Sequence, residues 1–337
     1  MRAAVIERSG SVTVREIPLP CPDGLALVRV AQAGICGTDV KIAAGDIPVT
    51  TPRVLGHEMT GWVESPGPRG IVPAGAPVLV NPALFCGHCD LCRRDLPQLC
   101  RDGALLGRDV DGCFAEFVAV DETCLHAIPA DLPPAEAALL QILSTCVHAQ
   151  DRLRPAPGAS AVVVGLGVSG LLHIQLLRAR GVQTIIGVTR SAWKRDLALR
   201  SGASHVAAPH DALPAVADAT GGRGADIAIE CAGTQQTLAQ AMHLAGAGGT
   251  VLVFGTTAPA ADAMPTYQWY FKELTILNPR AARPRDCDTA IRLCAERRLD
   301  LASLITARFP LDQAAAAIDA CREPGQLKIV LDIAEPL

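Results

Sequence analysis

Four cysteines crowd one short stretch of this 337-residue chain: Cys86, Cys89, Cys92 and Cys100, in the run FCGHCDLCRRDLPQLC at 85–100. The spacing C-x2-C-x2-C-x7-C brings four soft thiolates within reach of one ion, and Gly87 and Pro97 permit the sharp turns that a tetrahedral knot needs. Zinc is the economical occupant. An iron–sulfur cluster shares the first two spacings, but nothing else in the chain has the look of an electron-transfer module. Four thiolates leave no open coordination position, so the ion they hold shapes a loop and performs no chemistry. His88, between the ligands, reads as a solvent-facing bystander.

A second constellation lies upstream. AGICGTDVKIAAG at 33–45 supplies Cys36, Thr38, Asp39 and Lys41, and PRVLGHEMTGWVESPG at 52–67 supplies His57 and Glu58. A mixed Cys and His set is typical of zinc sites that keep a position for water or substrate. Spacing alone leaves the pairing of Cys36 with His57 open, since 21 positions separate them. Thr38, two residues beyond the cysteine, offers a hydroxyl to relay a proton.

Such residues need a scaffold, and the length exceeds what one hydrophobic core supports, which predicts two domains. The opening MRAAVIERSGSVTVREIPLP is broken by charges, and no later stretch gives eighteen uninterrupted apolar residues, so a cytoplasmic protein is expected. A net charge of -4 with 19% charged residues offers no basic field for nucleic acid and no polybasic membrane anchor. A small-molecule partner is the default. The 13 cysteines are an odd number, and in a reducing compartment closely spaced thiols are metal ligands or catalytic groups rather than disulfides. Cys124, Cys146, Cys231, Cys294 and Cys321, each in an apolar or helical context, read as small buried hydrophobes.

The middle of the chain carries a different pattern. RLRPAPGASAVVVGLGVSGLLHIQLLRARG at 152–181 runs from a Pro-rich connector through a strand into Gly165, Gly167 and Gly170, with Val168 opening a helix of apolar periodicity. Strand, tight turn and helix in that order let a helix N-terminus face a pyrophosphate. TIIGVT, a helix through AWKRDLALRSGA, DIAIECAG and GTVLVFG come after it at the interval expected of a parallel α/β sheet. After the second strand stand Thr189 and Arg190, with Lys194 and Arg195 nearby, where a carboxylate would bind the adenosine ribose diol. A hydroxyl and a guanidinium suit a 2'-phosphate instead, so NADP(H) is preferred and NAD(H) remains possible.

Taken in order, GICGTD, GHE, the four-cysteine run and GLGVSG resemble the zinc-dependent medium-chain dehydrogenase/reductase family of alcohol, polyol and threonine dehydrogenases. The resemblance extends to GCFAEFVAV at 112–120, KELTI at 272–276 and GQLKIVLD at 325–332. It implies an α/β protein with a GroES-like β-barrel catalytic domain at 1–143, to which 283–337 returns, and a Rossmann domain at 144–282. It implies Cys36 and His57 as catalytic zinc ligands, Glu58 beside the metal as an exchangeable ligand or support, and Asp39 in a supporting hydrogen bond. The remaining ligand, usually Cys, Glu or Asp, falls on Gln141, a neutral and weaker donor. Two further departures are Gly37, where many relatives have an Arg for the pyrophosphate, and Lys41, where many have the His that ends a proton relay from Thr38.

The implied activity is hydride transfer between NADP(H) and a secondary alcohol or ketone. Thr38, Trp62, the segment around Arg108 and Asp109, Gln141 and Thr145 would border the cleft, a polar set that favours a polyol, sugar, aminocyclitol or hydroxy amino acid, and much of 101–110 equally suits a salt-bridged surface loop. The alternatives are a zinc-independent carbonyl or ene reductase of the same superfamily, or a non-catalytic nucleotide-binding protein. A homodimer or homotetramer is expected.

Overall fold

The computed structural model describes residues 1–8, 11–256 and 266–334. Two compact units divide the chain: Met1–Ser144 with Ala281–Arg297 and Leu301–Leu337, and Thr145–Arg280 with Arg298–Asp300.

The first unit is the GroES-like part and is built mainly of antiparallel strands. Its larger sheet runs in the order Leu125–Ala127, Pro77–Val80, Glu58–Ser65, Ala26–Gly34, Lys328–Asp332 and Ile305–Pro310, with Phe117–Val120 also pairing the Ala26–Gly34 strand. Only the last pair is parallel. ALVRVAQAG forms the central strand, and every residue of it except Arg29 is buried. Covered on both faces, it loses the polar alternation of a half-exposed strand. Val28, Val30, Leu55, Met59, Val78, Phe114 and Ile329 fill the core around it. Burying one side chain of this kind stabilises by about 1.5–3 kcal/mol.

Register in this sheet brings together residues that are far apart in the chain. Glu58 lies opposite Gly34 on one side, and Val330 lies opposite the same glycine on the other. Three strands from distant parts of the chain therefore meet at one row.

The second unit is a parallel sheet of His205–Ala207, Thr184–Val188, Ser160–Val164, Ala225–Glu230, Ala245–Val253 and Thr275–Leu277, in that spatial order. Numbered along the chain the order is 3-2-1-4-5-6, the doubly wound Rossmann arrangement, whose first strand stands next to the point where the order reverses. SAVVV is that first strand and is wholly buried. The helix Val168–Ala179 comes directly after it, with Gly170 through Leu177 all buried. Cys124, Cys146 and Cys294 are buried as expected, whereas Cys231 and Cys321 are only half-buried. Among the described residues no helix is long and apolar enough to cross a membrane.

Candidate active site and metal centres

The four cysteines converge. Their Sγ atoms all lie within 4.8 Å of one another, with Cys86 to Cys92 at 4.0 Å and Cys89 to Cys100 at 3.9 Å. A tetrahedron with metal–sulfur bonds of about 2.3 Å has edges of about 3.8 Å, so the knot has the dimensions of a four-thiolate zinc site. Backbone amides point at the sulfurs: Cys86 N–H donates to Cys100 Sγ (3.2 Å), Cys89 N–H to Cys86 Sγ (3.3 Å) and Cys92 N–H to Cys89 Sγ (3.5 Å). Such donors favour thiolate over thiol. The backbone amides of Arg101 and then Cys92 bring the Cys89 thiol down to about 6, while burial pushes Cys92 up to about 12.

The second constellation also assembles, and its organiser is Asp39. Cys36 caps the helix Gly37–Ala44, and its backbone N–H donates to Asp39 Oδ2 at 2.8 Å. Asp39 Oδ1 accepts from Gly56 N–H at 3.3 Å and lies 3.5 Å from His57 Nδ1. One fully buried carboxylate thus ties the cysteine to the histidine. Gly56 is needed here: its φ is +91°, and a Cβ would sit 2.2 Å from the Phe114 ring. Without that turn His57 could not approach the first helix.

Donor atoms of Cys36, His57 and Glu58 lie within 4.8 Å of one another. Turning Nδ1 toward Asp39 leaves His57 Nε2 for a metal, the usual arrangement for a ligating imidazole. Burial alone would lower the His57 pKa, but Asp39 and then Cys36 outweigh it and hold the ring well above its ordinary value. An imidazole among these anions calls for a cation, and zinc fits the donor set.

Glu58 is divided between two partners. Its Oε2 accepts from Lys328 Nζ at 2.6 Å, and that ammonium also donates to Ile35 O at 3.0 Å. Its Oε1 is buried and has no protein partner, the kind of orphaned oxygen that an ion would satisfy. The pair crosses the space above Gly34, where a Cβ would come within 2.6 Å of Oε2. Lys328 escaped the sequence reading. Its signal was a lysine opening KIVLD, a segment whose first four residues are all buried.

The other expected residues divide between this neighbourhood and the surface. Thr38 Oγ1 lies 3.8 Å from Cys36 Sγ. Lys41 sits one turn further along the same helix and is half-buried. Gln141 lies in the helix Leu140–Gln150 and is 7% exposed, and its backbone carbonyl accepts from Ser144 Oγ. Arg108 and Asp109 form an exposed ion pair with each other at 2.7 Å, the geometry of a surface loop. Trp62 carries the Arg29 guanidinium 5.3 Å from its ring centroid.

In the second unit, the three fingerprint glycines fill separate needs. Gly165 has φ +93°, and a Cβ on Gly170 would sit 2.0 Å from Gly165 O. Gly167 caps the helix that Val168 begins, and the space its Cβ would enter is open, as a pyrophosphate at that helix terminus requires. Beyond the second strand, Thr189 is half-buried, and Arg190 is exposed with no side-chain partner among the described residues. Arg195 does something the sequence did not disclose: its Nη1 donates to Thr189 O and Arg190 O, both at 3.0 Å. It braces the backbone of the loop. Lys194 lies 5.2 Å from the Trp193 ring centroid, and burial lowers its pKa.

Comparisons with known proteins find two family domains, the second of which runs past Arg280 into the Ala281–Arg297 segment of the first unit. Residues 22–130 match the alcohol dehydrogenase GroES-like domain, and residues 167–296 match the zinc-binding dehydrogenase domain. L-threonine 3-dehydrogenase of Bacillus subtilis (strain 168) is 30% identical over 339 aligned positions, covering 97% of each chain. The chain belongs to the zinc-dependent medium-chain dehydrogenase/reductase family. It is an NAD(P)-dependent oxidoreductase by that membership. L-galactonate-5-dehydrogenase of Escherichia coli (strain K12) is 31% identical, with 88% of this chain and 87% of that one covered. Among solved structures, a zinc-binding dehydrogenase from Sinorhizobium meliloti 1021 bound to NADP superposes with a TM-score of 0.90 at 33% identity, covering 98% of both chains.

Proposed function

We propose that this family member is a dehydrogenase with a catalytic and a structural zinc, acting with NADP(H) on a secondary alcohol or ketone of a polar substrate. The observation that carries the reading is the Cys36, His57 and Glu58 donor set, gathered around the buried Asp39. Cys36 Sγ, His57 Nε2 and Glu58 would hold the catalytic zinc, with Gln141 as a further, weaker donor, and Cys86, Cys89, Cys92 and Cys100 the structural one. A zinc in the first set supplies Lewis acidity toward the substrate oxygen, and the nicotinamide supplies or accepts the hydride.

The chain's own groups do the rest. Asp39 fixes Cys36 and the imidazole, and Lys328 holds one oxygen of Glu58 so that the other faces the site. Thr38 Oγ1 takes the hydroxyl proton at the mouth of the first helix, and Lys41 passes it toward solvent. Gly165, Gly167, Val168 and Gly170 seat the pyrophosphate on a helix terminus. Thr189 and the exposed Arg190 receive the 2'-phosphate.

The substrate class, a polyol, sugar derivative or hydroxy amino acid, draws support from the threonine and galactonate named for the two relatives. The Arg108–Asp109 pair is turned on itself and has no part in this reading of the cleft. Exposed Tyr267, Tyr270 and Phe271 stand just before the edge strand Thr275–Leu277, an apolar patch that suits self-association into a homodimer or homotetramer. The thirteen cysteines, none of them joined in a disulfide, fit a reducing, cytoplasmic setting.

Metal analysis of Cys36→Ser beside the parent tests the centre, with NADP reduction scored across pooled polyols, aldonates and hydroxy amino acids. Two zincs per parent chain, one in the variant and no turnover by the variant are expected. One zinc in both proteins, with turnover retained, would instead identify a zinc-independent reductase. Cofactor binding with no turnover on any pool would identify a nucleotide-binding protein.

A further inference from the structure

The four-cysteine lobe carries a second set of donors on its outer side. One donor atom each from Cys86, His88 and Asp102 lies within 4.8 Å of the others, and Cys86 also belongs to the knot. His88 and Asp102 are exposed, whereas the four cysteines are half-buried. We propose that Cys86, His88 and Asp102 form a transfer site through which a divalent zinc-like cation enters and leaves the knot, with the Cys86 thiolate as the shared pivot.

The histidine is suitably placed. Its Nδ1 lies 2.8 Å from Cys86 O, and a carbonyl only accepts, so Nδ1 is the donor in that contact and Nε2 is the nitrogen left to face a cation. A backbone carbonyl behind one nitrogen is the usual support for an imidazole that ligates through the other.

The carboxylate is also distinguished from its neighbour. Asp90 is held on both oxygens by Arg101, at 2.6 and 3.1 Å, and is withdrawn from metal chemistry. Asp102, next in the chain to that arginine, has no hydrogen-bond or ion-pair partner among the described residues. The lobe thus engages both oxygens of one acid in hydrogen bonds and leaves the other, which Arg101 meets only through its charge, beside a thiolate.

A transfer site answers a problem posed by the knot itself. Four thiolates close the coordination sphere, so an ion leaves only as sulfurs let go, and each departing thiolate must be replaced by another donor or by water. An imidazole and a carboxylate next to Cys86 take the ion while that sulfur still holds it. Loading runs by the same steps in reverse, and the negative charge of Asp102 draws the incoming cation to the outer face.

The test tracks the knot ion alone, in the whole zinc-loaded protein. Excess EDTA is added, pulses of N-ethylmaleimide label thiols as they lose metal, and the peptides carrying Cys86, Cys89, Cys92 and Cys100 are weighed by mass spectrometry. His88→Ala and Asp102→Asn should each slow labelling of these four cysteines by about tenfold, because the ion must then leave Cys86 with one fewer donor to receive it. The starting zinc content should match the parent. The direction is diagnostic, because a residue that merely stabilised the lobe would, when removed, let the metal out faster. Labelling at about the parent rate, faster labelling, or a lower starting zinc content would overturn the proposal. Parent cysteines that label at once without EDTA would show that the knot holds no ion, which overturns it as well. None of these readings depends on Cys36 or on turnover.

Discussion

The four-cysteine lobe and the Cys36–His57–Glu58 centre are both donor sets of metal-binding composition, but they are built in opposite ways. The lobe takes every ligand from one turn-rich stretch, and its sulfurs are stabilised by amides of the same stretch. The other centre draws on a helix cap, a glycine turn, the start of one strand and a lysine from a third strand. A local set can form wherever its loop can turn. A set assembled across a sheet exists only in one register, and its charges are buried with no water to compensate an error.

Lys328→Met breaks that contrast most severely. Its side chain is 5% exposed and that of Glu58 is 1% exposed, so the substitution leaves a buried carboxylate unpaired. Stability should fall by about 3–5 kcal/mol, read from urea unfolding, with the four-cysteine zinc retained in the folded fraction. The double change Glu58→Gln with Lys328→Met should recover much of the loss, since no buried charge is then left alone. Equal stability of the single variant and the parent would refute the account of the pair.

A milder change separates the two metals. Asp39→Asn keeps the shape but weakens the hold on Cys36 and His57, and should cost about 10–100-fold in affinity at that centre alone. Zinc retained after dialysis against graded chelator should show one ion lost early and the other unmoved. Parallel loss of both would mean that Asp39 supports the whole unit rather than one centre.

The nucleotide half offers a third construction, a loop whose side chains and backbone have separate jobs. Arg190→Ala removes an exposed charge and should weaken NADP about tenfold with little change for NAD. Arg195→Ala removes the brace and should raise the Michaelis constants for both cofactors, roughly threefold, with kcat unchanged. Equal kinetics with NADP and NAD in the parent would remove the phosphate role from Arg190.

How far the chain could be read depends on the same contrast. Cysteine spacing, the glycine fingerprint and the alternation of strands and helices are contiguous, and their physics acts over a few residues. The Lys328–Glu58 pair spans 270 positions, and only the sheet register reveals it. Arg195 illustrates a subtler limit. Its type and place suggested a phosphate ligand, but its guanidinium folds back onto two carbonyls of the loop before its helix, which composition cannot disclose. The segment around Arg108 and Asp109 suits a cleft border or a salt-bridged surface loop equally by sequence, and only the structure shows the two side chains paired with each other.

The long stretch of sequence between Glu58 and Lys328 has a consequence for synthesis. Glu58 leaves the ribosome 270 residues before its partner. At about 5–20 residues per second, the nascent first unit spends on the order of tens of seconds without the strand that neutralises its buried acid. The row at Gly34 is open throughout that interval, so the centre can close only after Lys328 has been made, whereas the cysteine loop has all its donors as soon as Cys100 emerges.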